Sequence, residues 1–273
     1  MECGDCGHLL AAHAPLPAEA AAGDYHLSYD QEGFLSSLAT TRKRQADRIL
    51  ATLERVSSAR SLFDFGCGRG WFLETAQRRG FRPIGGGDVS ALAVALLRKR
   101  NVPAVTLNGS GVLTPIDFQE LGFIPEIITF LDVIEHFDGD LSGQMGEWLA
   151  SLPKTVAFIV FKVPLREGAV FAAASLARRV GVPGPARQLF QTGTSPPHLQ
   201  YFSRDSLDRF VRAVGLRTVK VFDDLDFEVD SLTTRAADLK YFPRPMVSVA
   251  GAALAAVARR VGRLDTRVII AAR

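Results

Sequence analysis

The sequence predicts an α/β fold with a mostly parallel sheet, and three observations support this prediction. Apolar segments of strand length alternate with amphipathic segments of helix length over residues 61–271, which is the pattern of βαβ units. A glycine-rich turn joins the first strand to the next helix, and the following strand ends at an acidic residue. Because helices connect parallel strands and cover the sheet, we expect helices on both of its faces.

The predicted elements follow one another in one main domain, residues 38–273. An Ala/Pro-rich stretch, residues 1–37, precedes it as an extended leader with a Cys-x-x-Cys near its start. Apolar residues at helical spacing run from Leu38 to Val56, where two serines end the helix. Strands are predicted at Ser61–Phe65, Arg82–Gly86, Ala104–Leu107, Glu126–Leu131, Val156–Val163, Arg217–Phe222 and Thr266–Ala271, and helices at Trp71–Arg79, Ala91–Arg100, Gln144–Ser151 and Arg204–Val214.

Two segments depart from this alternation. An insertion over residues 165–200 begins with an apolar helical stretch, Ala169–Val180, and continues as a loop broken by glycine and proline. Because it follows the carboxyl end of a strand, we predict that it forms a helical lid over a ligand site. An Ala/Val-rich helix, Met246–Arg263, ends in arginines. Residues 165–190 and 246–263 are both apolar and basic, so contact with a membrane surface is an alternative role for them.

Composition excludes several classes of protein. The 273 residues are 47% hydrophobic and 22% charged, which argues against disorder and against a small disulfide scaffold. The net charge is only +3 and both signs are interspersed, so we expect no nucleic-acid partner. Three cysteines without a recognisable secretory signal favour a reducing, cytoplasmic setting. The longest uncharged apolar run, Pro245–Ala258, is shorter than the roughly 20 residues of a membrane span.

The glycine-rich turn, Gly66–Gly70, reads Gly-Cys-Gly-Arg-Gly. Glycines let the backbone turn tightly and let a ligand approach it without side chains in the way. A dinucleotide-binding loop needs a small residue where Trp71 stands, which argues against NAD and FAD. No Lys-Ser/Thr pair follows the glycines, so the turn is not a nucleoside-triphosphate loop.

An acidic residue stands at the spacing expected for ribose recognition. Asp88 follows Gly66 by 88 − 66 = 22 residues, close to the roughly 20-residue offset at which a carboxylate meets ribose hydroxyls. Ser90 is then expected to cap the next helix. The turn and the carboxylate together predict a ligand that contains a ribose.

Four motifs together resemble the class I S-adenosylmethionine-dependent methyltransferases that act on small molecules. The motifs are Asp64-Phe-Gly66-Cys67-Gly68-Arg69-Gly70, Gly87-Asp88-Val89-Ser90, Asp132-Val-Ile-Glu135-His136 and His198-Leu-Gln-Tyr201-Phe202-Ser203. The resemblance covers residues 25–273 and implies a Rossmann-like, seven-stranded sheet whose last strand is antiparallel. It also implies S-adenosylmethionine as the cofactor, with the end of the leader covering it. The implied cofactor-binding residues are Asp64, Gly66, Cys67, Gly68, Gly70, Trp71, Asp88, Val89, Leu107, Asn108, Leu131 and Asp132.

The resemblance implies methyl transfer to a small-molecule acceptor, and we expect a hydroxyl oxygen of a natural product, a sugar or a lipid-linked saccharide. The sulfonium methyl is already activated, so catalysis requires alignment of the reacting atoms and a base for the hydroxyl proton. The candidates for this chemistry are His136, His198 and Glu135, which follow predicted strand ends.

Two alternatives remain open at this point. Similar quinone O-methyltransferases carry E-x-x-E-H and use it for a divalent ion; here Asp132, Glu135 and His136 are the corresponding residues, although we expect a reaction without metal. The other alternative is a partner protein that binds S-adenosylmethionine without catalysis. At the N-terminus, Cys3-Gly-Asp-Cys6 resembles one knuckle of a zinc ribbon, and we expect no zinc there because the other knuckle is missing.

Overall fold

The structure is a computed structural model that describes residues 1–11, 32–108, 113, 115–182, 189–190, 197–226 and 244–273. Within these residues it contains nine strands and eight α-helices. The strands are β1 (Leu9–Leu10), β2 (Leu62–Phe65), β3 (Ile84–Asp88), β4 (Ala104–Thr106), β5 (Ile127–Leu131), β6 (Phe158–Pro164), β7 (Gln200–Tyr201), β8 (Arg217–Asp224) and β9 (Thr266–Ala272). The helices are α1 (Glu32–Val56), α2 (Trp71–Arg78), α3 (Ala91–Lys99), α4 (Phe118–Leu121), α5 (Leu141–Ser151), α6 (Ala169–Arg179), α7 (Arg204–Ala213) and α8 (Arg244–Arg260).

Seven of the strands form one sheet in the order β4-β3-β2-β5-β6-β9-β8. Neighbouring strands are parallel from β4 to β6, and β9 runs antiparallel to both β6 and β8. The α/β class, the mostly parallel sheet and the antiparallel last strand are therefore confirmed. The strand order reverses between β2 and β5, and in such sheets ligands bind outside the carboxyl ends of the strands at the reversal.

The sheet is covered on both faces, as predicted. Because successive side chains of a strand point to opposite faces, Phe63 and Phe65 of β2 pack into one apolar layer and Leu62 into the other. The first layer is completed by α5 and α7, and the second by α1, α2 and α3. The predicted start of α1 at Leu38 is wrong, since the helix begins at Glu32; the apolar stripe marks only the part that packs on the sheet.

The second strand of the alternation extends further than predicted. The prediction ended it at Gly86, whereas β3 continues to Asp88 through three consecutive glycines. A Cβ on Gly85 would lie 2.6 Å from a Leu121 methyl, and one on Gly87 would lie 2.8 Å from the Phe63 ring. These glycines allow close side-chain packing on a central strand, and they do not form a turn.

The first residues of the chain are attached to the domain, which corrects the expectation of an extended leader for this part. β1 pairs antiparallel with β7. The His8 ring lies 3.1 Å from the Gln200 side-chain oxygen and 3.4 Å from the Ser206 hydroxyl. Cys3, Cys6 and Cys67 are free thiols. The rest of the predicted leader before α1, residues 12–31, lies outside the described residues.

Within its described residues, the insertion after β6 contains the predicted apolar helix, α6, and its role as a lid stays a prediction. It packs on α8 through a small apolar cluster that includes Ala169, Ala255 and Ala258. The Phe171 ring of α6 lies 5.0 Å from the Tyr201 ring, so this helix also contacts the end of the insertion. Two parts of the insertion, residues 183–188 and 191–196, lie outside the described residues. Among the described helices, none has the length and apolarity that crossing a membrane requires.

Candidate active site

The glycine turn between β2 and α2 has the backbone that its sequence predicts. Gly66, Gly68 and Gly70 have φ angles of 78°, 49° and 75°, in the left-handed region that favours glycine. A Cβ on Gly66 would lie only 2.5 Å from Cγ2 of Val133. The turn, which we call the donor loop (residues 66–70), therefore has no space for a side chain at Gly66.

Asp88 fastens the donor loop to the end of β3. The Gly68 N–H donates to its Oδ2 atom at 2.8 Å, and the Ser90 N–H donates to its Oδ1 atom at 2.9 Å. Ser90 also caps α3 by accepting from the Ala93 N–H, as predicted. The sequence indicated a ribose-binding role for Asp88 but gave no signal for its bond to the loop. The Asp88 carboxylate thus orients the donor loop at the carboxyl end of β3.

These features fit an adenosyl cofactor. The glycine backbone leaves room for a ligand, and the Asp88 carboxylate stands beside it, where hydroxyl donors would complete its hydrogen bonds. Cys67 of the donor loop is buried against Gly86, and burial raises the pKa of its thiol, so the side chain packs as a neutral group.

The remaining predicted cofactor residues occupy the same end of the sheet. Trp71 begins α2, and Val89 is exposed directly after β3. Leu107 is buried and Asn108 is exposed after β4, while Leu131 ends β5. Their roles as cofactor contacts stay predictions.

Asp64 is buried, unlike a residue whose side chain is exposed to a bound cofactor. Its side chain is 3% exposed and its Oδ1 atom accepts a hydrogen bond of 2.6 Å from the Thr129 hydroxyl. The pKa of Asp64 is raised to about 7, mainly by burial and also by the carboxylates of Asp88 and Asp132, whereas the Thr129 bond acts in the opposite direction. The carboxyl group therefore links β2 to β5 beneath the donor loop, and its predicted contact with the cofactor stays a prediction.

Asp132, directly after β5, is the centre of a charged network. Its φ of 57° lies in the left-handed region, which non-glycine residues rarely adopt and which Asp tolerates better than most. The Lys162 ammonium, on a side chain only 2% exposed, lies 2.6 Å and 2.7 Å from its two carboxylate oxygens. Arg42 of α1 lies 2.6 Å from Oδ2 and also pairs with Asp226 at 3.0 Å. Sequence reasoning missed this network, although a lysine inside the apolar strand Phe158–Pro164 was a visible signal.

The three candidate catalytic residues come together beyond Asp132. Glu135 and His136 lie on a single 3₁₀ turn, Ile134–His136, and His198 approaches from the end of the insertion. The two imidazole rings are 4.9 Å apart. The ligand atoms of all three side chains lie within 4.8 Å of one another. We call these residues the Glu-His-His cluster; His198, and not Asp132, completes it.

Burial controls the charge of this cluster. It lowers the pKa of His136, and it lowers the pKa of His198 to about 3, with the neighbouring His136 contributing in the same direction. Both imidazoles are therefore neutral at physiological pH. The Glu135 carboxyl group is fully buried, which together with the nearby Asp132 charge raises its pKa well above the usual range. Neither Glu135 oxygen has a hydrogen-bond partner among the described residues.

Both rings are oriented by hydrogen bonds at Nδ1. The Nδ1–H of His136 donates to the Pro197 carbonyl oxygen at 2.7 Å, since a carbonyl can only accept. Nδ1 of His198 lies 3.2 Å from the Tyr201 hydroxyl, which itself donates to the Leu189 carbonyl at 2.8 Å. The Tyr201 oxygen therefore accepts from the Nδ1–H of His198. In both neutral rings the remaining lone pair is on Nε2.

The donor loop and the Glu-His-His cluster are in direct contact through one residue. Val133 packs its side chain against the backbone of Gly66 and immediately precedes the 3₁₀ turn that carries Glu135 and His136. The turn that carries Glu135 and His136 therefore begins at a residue that packs on the donor loop.

Comparison with known families agrees with this geometry. A family model described as a methyltransferase domain matches residues 38–221, more than half of the chain. The chain belongs to this family. It is an S-adenosylmethionine-dependent methyltransferase with a class I, Rossmann-like fold. A search among curated proteins gives no match.

Solved structures similar to this methyltransferase are distant in sequence. A geranyl diphosphate C-methyltransferase from Streptomyces coelicolor is 17% identical, with a TM-score of 0.53 over 95% of this chain and 90% of that chain. A cyclopropane synthase from Mycobacterium tuberculosis is 16% identical, with a TM-score of 0.56 over 93% and 98%. A magnesium protoporphyrin IX methyltransferase from Synechocystis is 13% identical, with a TM-score of 0.51 over 86% and 84%. At these identities the likeness establishes the fold, and the acceptor has to be argued from the site.

Proposed function

We propose that this methyltransferase transfers the methyl group of S-adenosylmethionine to a hydroxyl oxygen of a small-molecule acceptor. The observation that supports the proposal is that Val133, which packs on Gly66 of the donor loop, directly precedes the turn carrying His136, whose ring lies 4.9 Å from the His198 ring. A hydroxyl nucleophile must lose a proton, and a positioned base contributes roughly 10²- to 10⁴-fold to the rate.

The reaction needs three events that the residues can support. The acceptor oxygen attacks the methyl carbon in line with the carbon–sulfur bond, which breaks and leaves its electron pair on sulfur. The donor loop and Asp88 hold the donor in position, and alignment of this kind supplies about 7–11 kcal/mol of the barrier reduction. The hydroxyl proton passes to a Nε2 lone pair of His136 or His198, whose Nδ1 bonds fix the required tautomers.

Glu135 is a positioning group in this proposal. It is completely buried beside both rings, and this burial raises the pKa of its carboxyl group well above the usual range, which favours a low charge in the cluster. A neutral cluster favours an uncharged acceptor hydroxyl before the reaction, since a buried charge nearby would require a partner. Aromatic rings pack next to the cluster, with Tyr201 5.6 Å from the His198 ring and 5.1 Å from the Phe190 ring.

The experiment that tests the proposal offers the full-length protein methyl-labelled S-adenosylmethionine and a panel of phenols, sugars, amines and unsaturated hydrocarbons. We expect label in a methyl ether of at least one hydroxyl compound, and at least a 100-fold loss in the His136→Gln and His198→Gln double variant. Label found only in amine or carbon products would overturn the choice of oxygen.

We also propose that the face formed by α6 and α8 contacts an anionic membrane surface, which would give access to a lipid-linked acceptor. Leu176 is 61% exposed, Val180 71% and Val257 56%, and the two helices pack side by side. Arginines lie next to these apolar side chains, and the combination suits anionic headgroups above an apolar layer. The exposed arginines are Arg178, Arg179, Arg259, Arg260 and Arg263.

Sedimentation with phosphatidylglycerol vesicles at low salt tests this surface. We expect the wild type to sediment and the Val180→Ser, Val257→Ser double variant to sediment less. The matched control is Val221→Ser, since Val221 is 40% exposed on β8 and lies on another element. No sedimentation of the wild type, or equal sedimentation with neutral phosphatidylcholine vesicles, would remove the proposed contact.

A further inference from the structure

We propose that Glu135, His136 and His198 bind a divalent transition-metal ion. The three side chains come from two segments that are 62 residues apart in the chain, counted from His136 to His198. Their ligand atoms nevertheless converge within 4.8 Å. Ligands of a tetrahedral ion lie about 3.4 Å apart, given metal–ligand distances near 2.1 Å. The cluster therefore has to contract by about 1.4 Å at most to hold an ion.

The buried carboxyl group of Glu135 supplies an independent argument. Both of its oxygens are inaccessible and have no hydrogen-bond partner among the described residues. Buried polar atoms are almost always paired, because an unpaired one loses its hydration without compensation. An ion beside His136 and His198 would give these oxygens the partner that no described side chain or backbone group provides.

The two imidazoles are already prepared as ligands. Metal-binding histidines generally donate the other ring N–H to a carbonyl or a similar acceptor, which fixes the tautomer. His136 donates from Nδ1 to the Pro197 carbonyl, and His198 donates from Nδ1 to the Tyr201 hydroxyl. These Nδ1 bonds leave Nε2 as the ring nitrogen that carries the lone pair. Tyr201 is in turn held by the Leu189 carbonyl, so the supporting bonds extend into the lid.

Asp132 is excluded from this ligand set, which changes the triad that the D-x-x-E-H string indicates. Its two oxygens bind the Lys162 ammonium, and Arg42 pairs with one of them. A carboxylate held by two cations is a poor ligand for a third. The remaining set of two imidazoles and one carboxylate favours ions such as Zn²⁺, Co²⁺, Ni²⁺ or Fe²⁺ over Mg²⁺ and Ca²⁺, which prefer oxygen ligands.

Three protein ligands leave coordination positions for a further oxygen donor. When bound, such an ion would act as a Lewis acid on a coordinated hydroxyl group. Because the imidazole lone pairs would then bind the ion, the ion would replace His136 and His198 as the group that activates the hydroxyl. The role of the ion in catalysis rests on the proposed function, whereas its binding does not. The inference also narrows the acceptor to compounds with a hydroxyl group that can reach the cluster.

Co²⁺ titration of the full-length protein, followed by visible absorption and by calorimetry, tests the inference without measuring activity. The titration uses the Cys3→Ser, Cys6→Ser double variant, because the Cys-x-x-Cys, in which Cys3 is exposed, would otherwise bind thiophilic ions. We expect one equivalent of Co²⁺, at least tenfold weaker binding after His198→Gln, and a similar loss after Glu135→Gln. Zn²⁺ should displace the Co²⁺ spectrum, and a large excess of Mg²⁺ should leave it unchanged.

One control measurement separates loss of the metal site from loss of the fold. S-adenosylhomocysteine affinity should be unchanged in His198→Gln, which shows that this variant is folded and separates failure of the metal site from failure of the donor site. If Glu135→Gln does not fold, His198→Gln alone decides. Absence of stoichiometric Co²⁺ binding in the double cysteine variant, or binding that His198→Gln leaves intact, would overturn the inference.

Discussion

The donor loop and the Glu-His-His cluster lie on either side of Val133, yet they are assembled in different ways. The donor side is local: Gly66, Gly68 and Asp88 belong to one strand-turn-helix-strand unit and are joined mainly through backbone groups. The acceptor side is built from distant segments, with the 3₁₀ turn after β5, the end of the lid and cations from α1 and β6 each contributing. A local unit can be kept while distant segments vary, so the acceptor side is where specificity is expected to reside.

The largest expected effect comes from adding a side chain at Gly66, where the donor loop packs against Val133. Gly66→Ala places a Cβ 2.5 Å from Cγ2 of Val133 at a φ of 78°. We expect S-adenosylhomocysteine affinity to fall at least about tenfold, since overpacking and backbone strain each cost about 1–3 kcal/mol. Calorimetric titration measures this loss.

Gly80→Ala is the matched control, because Gly80 has a similar φ of 86° but no atom within 4 Å of its Cβ position. It should reduce stability by about 1 kcal/mol and leave the affinity within about twofold. Equal losses of affinity in both variants would show that backbone strain alone matters and that the contact with Val133 does not.

An intermediate effect is expected for the carboxyl group beneath the donor loop. The pKa of Asp64 is raised from 3.8 to about 7 by burial and by the facing carboxylates of Asp88 and Asp132. The folded state therefore holds a proton that the unfolded state releases, so this group makes stability fall as pH rises from about 4 to about 7. Between pH 5 and pH 8 its contribution to the free energy of unfolding falls by about 2.5 kcal/mol.

Asp64→Asn tests this assignment, because an amide resembles the protonated acid and can still accept from the Thr129 hydroxyl. Urea unfolding at pH 5 and at pH 8 should show a smaller loss of stability in the variant than in the wild type. Parallel losses in the two proteins would mean that Asp64 is ionised in the folded state throughout this range.

The smallest expected effect tests the hydroxyl group of Tyr201 on the acceptor side. Tyr201→Phe removes the hydroxyl that accepts from His198 and donates to Leu189, but keeps the ring that packs on Phe171 and Phe190. With an acceptor found in the labelled-methyl screen, we expect kcat to fall about three- to tenfold, comparable with the loss of about 1 kcal/mol for one hydrogen bond. The KM for S-adenosylmethionine should stay the same; a change in that KM with constant kcat would place Tyr201 on the donor side.

The same contrast explains what the sequence could predict. The donor side is made of residues that are close in the chain: Gly66, Gly68, Gly70, Asp88 and the Ser90 cap. Their roles follow from backbone sterics and from the spacing between Gly66 and Asp88. The parallel sheet follows from the alternation of strands and helices. The three glycines of β3 made the end of that strand hard to place, since glycine serves close packing in a strand as well as turns.

The acceptor side could be predicted only in part. His136 and His198 were candidates by residue type and motif, but their approach to within 4.9 Å depends on how the lid returns to the sheet. The ion pairs of Lys162 with Asp132 and of Arg42 with Asp226 join positions that are 30 and 184 residues apart. Contacts between such distant residues leave no local pattern, although a charge within an apolar strand indicates that a buried partner is required.

Calorimetric titration with S-adenosylhomocysteine, applied to the wild type, Asp88→Ala and His198→Gln, tests the division between donor and acceptor sides most directly. We predict binding to the wild type, at least about tenfold weaker binding to Asp88→Ala, which loses the bonds from Gly68 and Ser90, and unchanged binding to His198→Gln. A folded wild type that does not bind, or equal weakening in both variants, would contradict the account.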